Sequence, residues 1–313
     1  MCISEKDKGL RIKDKFLGTA ERAGKMKEKS GRNMRNPRSL SLKGQIGAYA
    51  VLTIFAAFSI YPVLRVFSIS LRPEGRLLTR SLEIIPDGAT ISSYVKLFWD
   101  TDFLIWLGNS LFISIVVTII GVGLATTAGY AFSRFRFPGR NGAMIAIITT
   151  QMFPVSMLLL PLFILLIKMQ LYDSFLGLII AYSATALPFT IWQMKGYYDT
   201  IPYSLEEAAM IDGASPLYTF WVIILPLALP ALAITALFSF MTAYSEYLVA
   251  VVLIQNTDYF TLPLGLKSFQ ATMEATWGLY SAGAIVVSMP VVALFLFLSR
   301  FLISGLTLGS VKG

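Results

Sequence analysis

The sequence predicts an all-α integral membrane protein with six transmembrane helices. Of its 313 residues 56% are hydrophobic and 14% charged, more apolar surface than a single soluble domain can bury. Six windows contain no Asp, Glu, Lys or Arg: Gly44–Leu64, Phe103–Ser133, Ala143–Ile167, Ser174–Met194, Gly213–Ser245 and Ala275–Ser299. Each is long enough to cross a hydrocarbon core, which takes roughly 20 helical residues for about 30 Å. None alternates polar and apolar residues as a barrel strand does, so helices, which satisfy their own backbone groups in lipid, are the expected spans.

Ahead of the first window, residues 1–43 carry 13 of the 26 Lys and Arg residues against five acidic ones, with little apolar periodicity. A basic tail of this kind is expected on the cytoplasmic side, beside anionic lipid, rather than on nucleic acid. The length of charge before the first apolar run argues against a cleaved secretory signal. With the N-terminus inside, Arg72–Asp102 falls outside. The second window follows, with Gly121, Ala125 and Gly129 forming a four-residue stripe that permits close helix contact within this subunit or with another. The next inside loop, Arg134–Arg140, holds three arginines. A short outer turn near residues 168–173 separates the third and fourth windows.

The fourth window leads into Tyr197–Pro230, a charged island with Lys195 just before it and Asp199, Glu206, Glu207 and Asp212 inside it. A negatively charged inside loop departs from the positive-inside pattern, and a basic protein surface docking there would account for it. Ser204-Leu205-Glu206-Glu207 has the form of a capping box, so a helix is expected to start at Ser204. Ala208 and Ala209 continue it, Gly213 ends it in a left-handed conformation, and Ser215-Pro216 starts a second helix that feeds the fifth window. Beyond that window, the outer stretch 246–274 reads as a polar loop able to fold over a cavity mouth. The sixth window closes the domain 44–313, and residues 304–313 read as a flexible glycine-rich tail on the inside. Pro62, Pro154, Pro161, Pro188, Pro226, Pro230 and Pro290 lie within the spans and are expected to kink them.

Several chemistries lack their parts. The chain has no histidine and one cysteine, Cys2 in the polar tail, which removes histidine triads, histidine zinc sites and disulfides. There is no GxxxxGK[ST] phosphate loop, so nucleotide hydrolysis would belong to a partner. Nor do paired carboxylates occur at midplane depth, as an acid–base enzyme or a self-contained proton-driven carrier would need. Arg65 and Glu246 stand toward the outer ends of spans one and five, as interfacial charges or as part of an outer mouth. Gln151 and Asn109 either line a pathway or bond between helices.

Glu207-Ala208-Ala209, three residues, Gly213, nine residues, then Ile223-Ile224-Leu225-Pro226 reproduces without gaps the pattern EAA, x3, G, x9, I-x-LP. On this EAA motif the chain resembles the permease subunits of bacterial ABC importers, in particular the maltose-type carbohydrate permeases. Ala131–Gly139, Gln151-Met-Phe-Pro154, Lys195-Gly-Tyr197 and Gly305–Gly313 extend the resemblance from about residue 45 onward, leaving the basic tail uncovered.

The resemblance implies a type I ABC importer permease fold with a cytoplasmic coupling-helix loop, residues 197–226, and a transport subunit rather than an enzyme. It implies a second permease subunit, two ATPase subunits that bind the ATP and Mg, and an external sugar-binding protein. No cofactor is expected on this chain. The ATPase-coupling residues would be Glu206, Glu207, Ala208, Ala209, Asp212, Gly213, Ile223, Leu225 and Pro226. Glu207 would pair with a basic group on the ATPase, the alanines would allow close approach, and Gly213 would set the angle between the two short helices. Residues 252–276 would probe the binding protein and the C-terminal tail would lie along the ATPases. The resemblance implies maltose or maltodextrin as substrate and leaves open trehalose, other glycosides, polyols and glycerol phosphate; a self-contained secondary transporter is the alternative class.

Overall fold

A computed structural model describes residues 42–73, 83–270 and 277–308, with side chains up to residue 301. The expected basic tail lies outside the described residues up to residue 41, as do residues 271–274 of the outer loop and 309–313 at the C-terminus. Among the described residues every regular element is helical. Helix α1 is Leu42–Ser70, α2 Ser92–Trp99, α3 Phe103–Arg134, α4 Arg140–Thr150, α5 Val155–Lys168 and α6 Phe175–Tyr198. Next come α7, Ser204–Ile211, and α8, Pro216–Leu227, then α9 Leu229–Tyr244, α10 Leu248–Leu253, α11 Leu262–Ser268 and α12 Trp277–Leu308. The chain forms two units, one ending at Pro62 and one beginning at Val63, with α1 running through the boundary.

Among the described residues four helices, α1, α3, α6 and the α12 segment to Phe301, are long and apolar enough to cross a membrane as they stand. The third and fifth apolar windows are each bent pairs: α4 and α5 meet at 101°, α8 and α9 at 77°, and counting each pair as one span gives six. The expected kinks at proline are therefore unequal. Pro62, Pro161, Pro188 and Pro290 lie inside continuous helices, whereas Pro154 caps α5 at one break and Pro226 and Pro230 flank the other at Ala228. Proline removes one amide donor and crowds the carbonyl four residues back. Ahead of Pro226 the helix widens into a π turn over Phe220–Ile224, with the Leu225 amide donating to the Phe220 carbonyl.

In the second unit α3 is the central helix, packed on α6 and α9. Gly121 faces Ser239 of α9, and a Cβ on Gly129 would stand 2.8 Å from Met194 Cβ and 3.0 Å from the Lys195 backbone nitrogen. The small-residue stripe therefore serves packing inside this subunit. One apolar cluster joins Ile113 and Val117 of α3 to Leu178, Ala181 and Tyr182 of α6, with Val249, Leu253 and Leu264 from beyond α9. Another gathers Ala125, Tyr130, Met194, Tyr198, Ile201, Phe220 and Ile224 at the other end of α3.

Two expectations change here. The stretch 246–270 is not a plain polar loop: it carries α10 and α11, and Leu253, Ile254, Leu262 and Leu266 are buried. Asp173 Oδ1 accepts from the Gln255 and Asn256 amides, at 2.9 and 3.1 Å. Asn109 Nδ2 donates to the carbonyls of Asp258 and Phe260, at 2.8 and 3.0 Å, so Asn109 is a tether for this segment. Asn109→Leu is expected to leave the Asp258 carbonyl to water and the half-buried Phe260 carbonyl short of a donor, at about 0.5–1.5 kcal/mol of local stability. Hydrogen exchange at residues 257–262 should rise several-fold in that variant. At the other terminus, α12 continues to Leu308, so residues 304–308 prolong the helix where a flexible tail is expected; leucines on either side of Gly305 are strong helix formers.

Candidate functional site

The helical hairpin α7–α8 is built by local rules. Helix α7 starts at Ser204, where its sequence suggests, but not through the expected cap. Tyr203 is already helical and stands at the N-cap without a side-chain cap bond, so the predicted capping box does not form. Pro202 sets the entry, and the Leu205, Glu206 and Glu207 amides bond the carbonyls of Pro202 and Tyr203; the first-turn donors are thus met by backbone and Ser204 becomes a helical residue. The end of α7 is as expected. Gly213 has φ 86°, its amide donates to the Met210 carbonyl at 3.1 Å and the Ala214 amide to the Ala209 carbonyl at 2.9 Å. These two bonds make a Schellman termination. Ser215 then caps α8, its hydroxyl accepting from the Tyr218 amide, with Pro216 in the first turn.

The hairpin has an inner and an outer face. Glu207, Ala208, Asp212 and Gly213 are exposed, as are Leu205, Met210, Leu217 and Tyr218, and Ile211 is 86% exposed. Ala209 is buried, and Ile223 and Leu225 pack against the Tyr130–Tyr198–Phe220 cluster while Pro226 stays exposed. Glu206 is turned inward and is 1% exposed. Its carboxylate pairs with the Arg134 guanidinium through Nε and its Oε2 accepts from the Tyr130 hydroxyl at 2.8 Å. The Tyr130 ring lies 4.6 Å from that of Phe220 and 5.6 Å from that of Tyr198.

The last turn of α3 holds further points on the same segment. Arg134 Nη2 donates to the Ile201 carbonyl at 2.9 Å, and Nη1 to Ser133 Oγ at 3.2 Å. Ser133 Oγ donates to Asp199 Oδ1 at 2.7 Å, and Lys195 Nζ reaches the other Asp199 oxygen. Burial opposes ionisation of Asp199, but the hydrogen bonds from Lys195 and Ser133 outweigh it and hold the carboxyl below its ordinary value. A lowered carboxylate pKa contributes stability above the unfolded value and loses it as the pH falls through the folded one. Because Asp199 is 41% exposed the contribution is small. Amide exchange over residues 197–201, corrected for intrinsic rate, should accelerate in that acidic window, and Asp199→Asn should remove the dependence.

Gln151 and Glu246, the two expected pathway residues, are separate from the hairpin. Gln151 stands at the α4–α5 break and its Nε2 donates to the Thr185 carbonyl of α6 at 3.1 Å. Glu246 caps α10, its Oε1 accepting from the Val249 amide at 3.1 Å. Sequence reasoning missed Tyr130, Ser133 and Arg134 as part of the hairpin's surroundings. A signal was present in the excess of carboxylates on the island facing a loop rich in arginine.

Apolar spans, two of them broken, with an exposed helical hairpin pinned to the end of α3, define a polytopic membrane permease. The chain belongs to the family of binding-protein-dependent transport system inner membrane components, whose model matches residues 118–307. The maltodextrin transport system permease protein MdxG of Bacillus subtilis is 34% identical to it, over 89% of this chain and 100% of that protein. The maltose/maltodextrin transport system permease protein MalG of Salmonella typhimurium is 36% identical, over 90% and 99%. Among solved structures, a bacterial ABC transporter involved in the import of the acidic polysaccharide alginate shares the fold, with a TM-score of 0.71 and 24% identity over 84% of this chain and 98% of that one. The protein is accordingly a membrane-embedded permease subunit of an ABC importer, a transport component and not an enzyme. Its family membership implies a partner permease, an ATPase and a substrate-binding protein.

Proposed function

We propose that this chain carries a maltodextrin-type oligosaccharide inward as one half of a permease pair, with the α7–α8 hairpin as its contact to an ATPase. The observation that carries the reading is the division of the EAA segment: Glu207, Ala208, Asp212 and Gly213 lie on an exposed face with Ile211 and Leu217, while Ala209, Ile223 and Leu225 anchor the other side. An exposed apolar patch rimmed by carboxylates fits a basic, partly apolar cleft on a partner. The names of the MdxG and MalG relatives support the substrate class.

On this reading the permease domain is 44–313, with the basic tail 1–43 and both termini in the cytoplasm and the 246–274 segment outside. The second permease is MalF-like and the two ATPase subunits are MalK-like, binding the ATP and Mg that this chain does not. Closure of the ATPase pair on ATP draws the two coupling hairpins together and turns the spans outward; nucleotide release reverses the motion. Glu207 pairs with a basic group of the ATPase, Gly213 sets the hairpin angle, and Gln151 and Glu246 stand along the pathway or its outer mouth.

Purification of the tagged chain from its native membranes, followed by an ATPase assay in lipid with candidate binding proteins and sugars, tests the proposal. Capture of an ATPase and a second permease, with hydrolysis stimulated by one maltodextrin-loaded binding protein, is the expected result. Capture of the chain alone, under conditions that keep comparable complexes intact, would overturn it.

A further inference from the structure

We propose that Glu206 is a positioning residue that locks α7 to the end of α3, so that a displacement of the hairpin is delivered to α3 directly and not only along the chain through Gly213 into α8. The proposal rests on the reading that the hairpin docks on an ATPase, and it adds a second line of transmission that the EAA motif does not contain. Besides the chain that enters it at Pro202 and Tyr203, two connections leave α7. The covalent one passes through Gly213, around which a Cβ would meet nothing within 4 Å, a joint with no packing to stiffen it. The other is the Glu206 carboxylate, with the Arg134 guanidinium on one oxygen and the Tyr130 hydroxyl on the other.

Arg134 is suited to a clamp because its fork points three ways. Nε meets Glu206 on α7, Nη2 meets the Ile201 carbonyl ahead of α7, and Nη1 meets Ser133, which itself holds Asp199 at the end of α6. A lysine carries its charge at one point and cannot make these bonds together. The guanidinium also lies 5.8 Å from the Tyr203 ring centroid, at the start of α7. Apolar contact would hold α7 against α3 without fixing its angle, because the hydrophobic effect has no direction. A buried ion pair is seldom the most stable filling of such a site, but its charge-assisted bonds fix orientation. α3 is in turn the helix on which α6 and α9 pack, through Gly129 and Gly121. Motion imposed on Glu206 therefore enters the centre of the bundle.

The test uses the assembled importer in lipid, with the expected ATPase, second permease and loaded binding protein. Spin labels at the exposed Ile211 and at Arg136, just beyond α3, report the α7–α3 distance with and without ATP. Transport per ATP hydrolysed is measured per assembled complex for wild type, Glu206→Gln, Arg134→Lys and Tyr130→Phe. In wild type the α7–α3 distance is expected to stay constant while the hairpin moves relative to its counterpart on the second permease. In Glu206→Gln and Arg134→Lys the distance broadens and transport per ATP falls by at least about fivefold, the scale of a typical coupling free energy; Tyr130→Phe, which keeps the ion pair, falls less. A wild-type α7–α3 distance that changes with ATP overturns the lock, whether or not the variants fold, as does unchanged transport per ATP in both charge variants. Failure of the wild-type chain to capture any ATPase is a different outcome, which overturns the docking reading and this proposal with it.

Discussion

A Gly213→Pro variant is expected to reach the membrane and to lose uptake. Two features of the residue lead to this. Its φ of 86° lies in the left-handed region, which proline, fixed near −65°, cannot enter. Its amide also makes one of the two Schellman bonds, to the Met210 carbonyl at 3.1 Å, and proline has no amide hydrogen. α7 would then have to end elsewhere, and the direction of α8, capped by Ser215, would change with it. Gly213→Ala is the graded control. No atom stands within 4 Å of the added Cβ, so only the conformational strain of about 1–2 kcal/mol remains and part of the uptake should survive. Sugar uptake in cells, scaled to permease in the membrane, gives the order glycine, alanine, proline. Wild-type uptake by the proline variant would remove the hinge role from Gly213.

Gly129→Leu should have the second large effect, on the folded state itself. A Cβ at this position stands 2.8 Å from Met194 Cβ and 3.2 Å from the Met194 carbonyl carbon, with the Lys195 nitrogen at 3.0 Å. Two of these three atoms are backbone and cannot rotate away, so α3 and α6 must separate. Alanine already introduces overpacking, of the order of 1–3 kcal/mol, and leucine adds three carbons to the same gap. Separation would also pull Tyr130, the next residue of α3, and Arg134, a turn further on, away from Tyr198 and Glu206. A Cβ on Gly123 would meet nothing within 4 Å, so Gly123→Leu serves as the matched substitution on an open face of the same helix. Detergent extracts studied by size-exclusion and limited proteolysis should show monodisperse protein for Gly123→Leu and aggregated or cleaved protein for Gly129→Leu. Equal behaviour of the two would show that the Gly129 contact does not limit stability.

The number and placement of the apolar segments were legible because crossing length and absence of charge are properties of a window. Gly213 and Ser215-Pro216 were legible for a similar reason: their roles follow from backbone chemistry within a few residues. What the sequence did not disclose depends on phase or distance. Glu206 and Glu207 are adjacent, about 100° apart around a helix, and α7 has 8 residues, too few for its pattern to say which carboxylate faces inward. The answer lies in the entry at Pro202 and Tyr203 and in Arg134, 72 residues earlier in the chain. The 101° and 77° bends were foreshadowed by proline but not sized by it, since Pro188 and Pro290 sit in unbroken helices. The packing of the 246–270 segment was hidden by its polar residues, which mark the turns between leucines that are buried.

The π turn at Phe220–Ile224 gives the fifth span a reserve of chain. It accommodates one residue more than an α turn of the same rise, between the cap at Ser215 and the break at Ala228. Tightening that turn to α pitch would advance the backbone beyond it by about 1.5 Å and rotate it by about 100°. Ile223 and Leu225, which now rest on the Tyr130 cluster, would exchange faces with neighbours such as Val222. A screw-like adjustment of this size needs no unfolding of the span, and it sits within α8, between the cap at Ser215 and the longer arm α9.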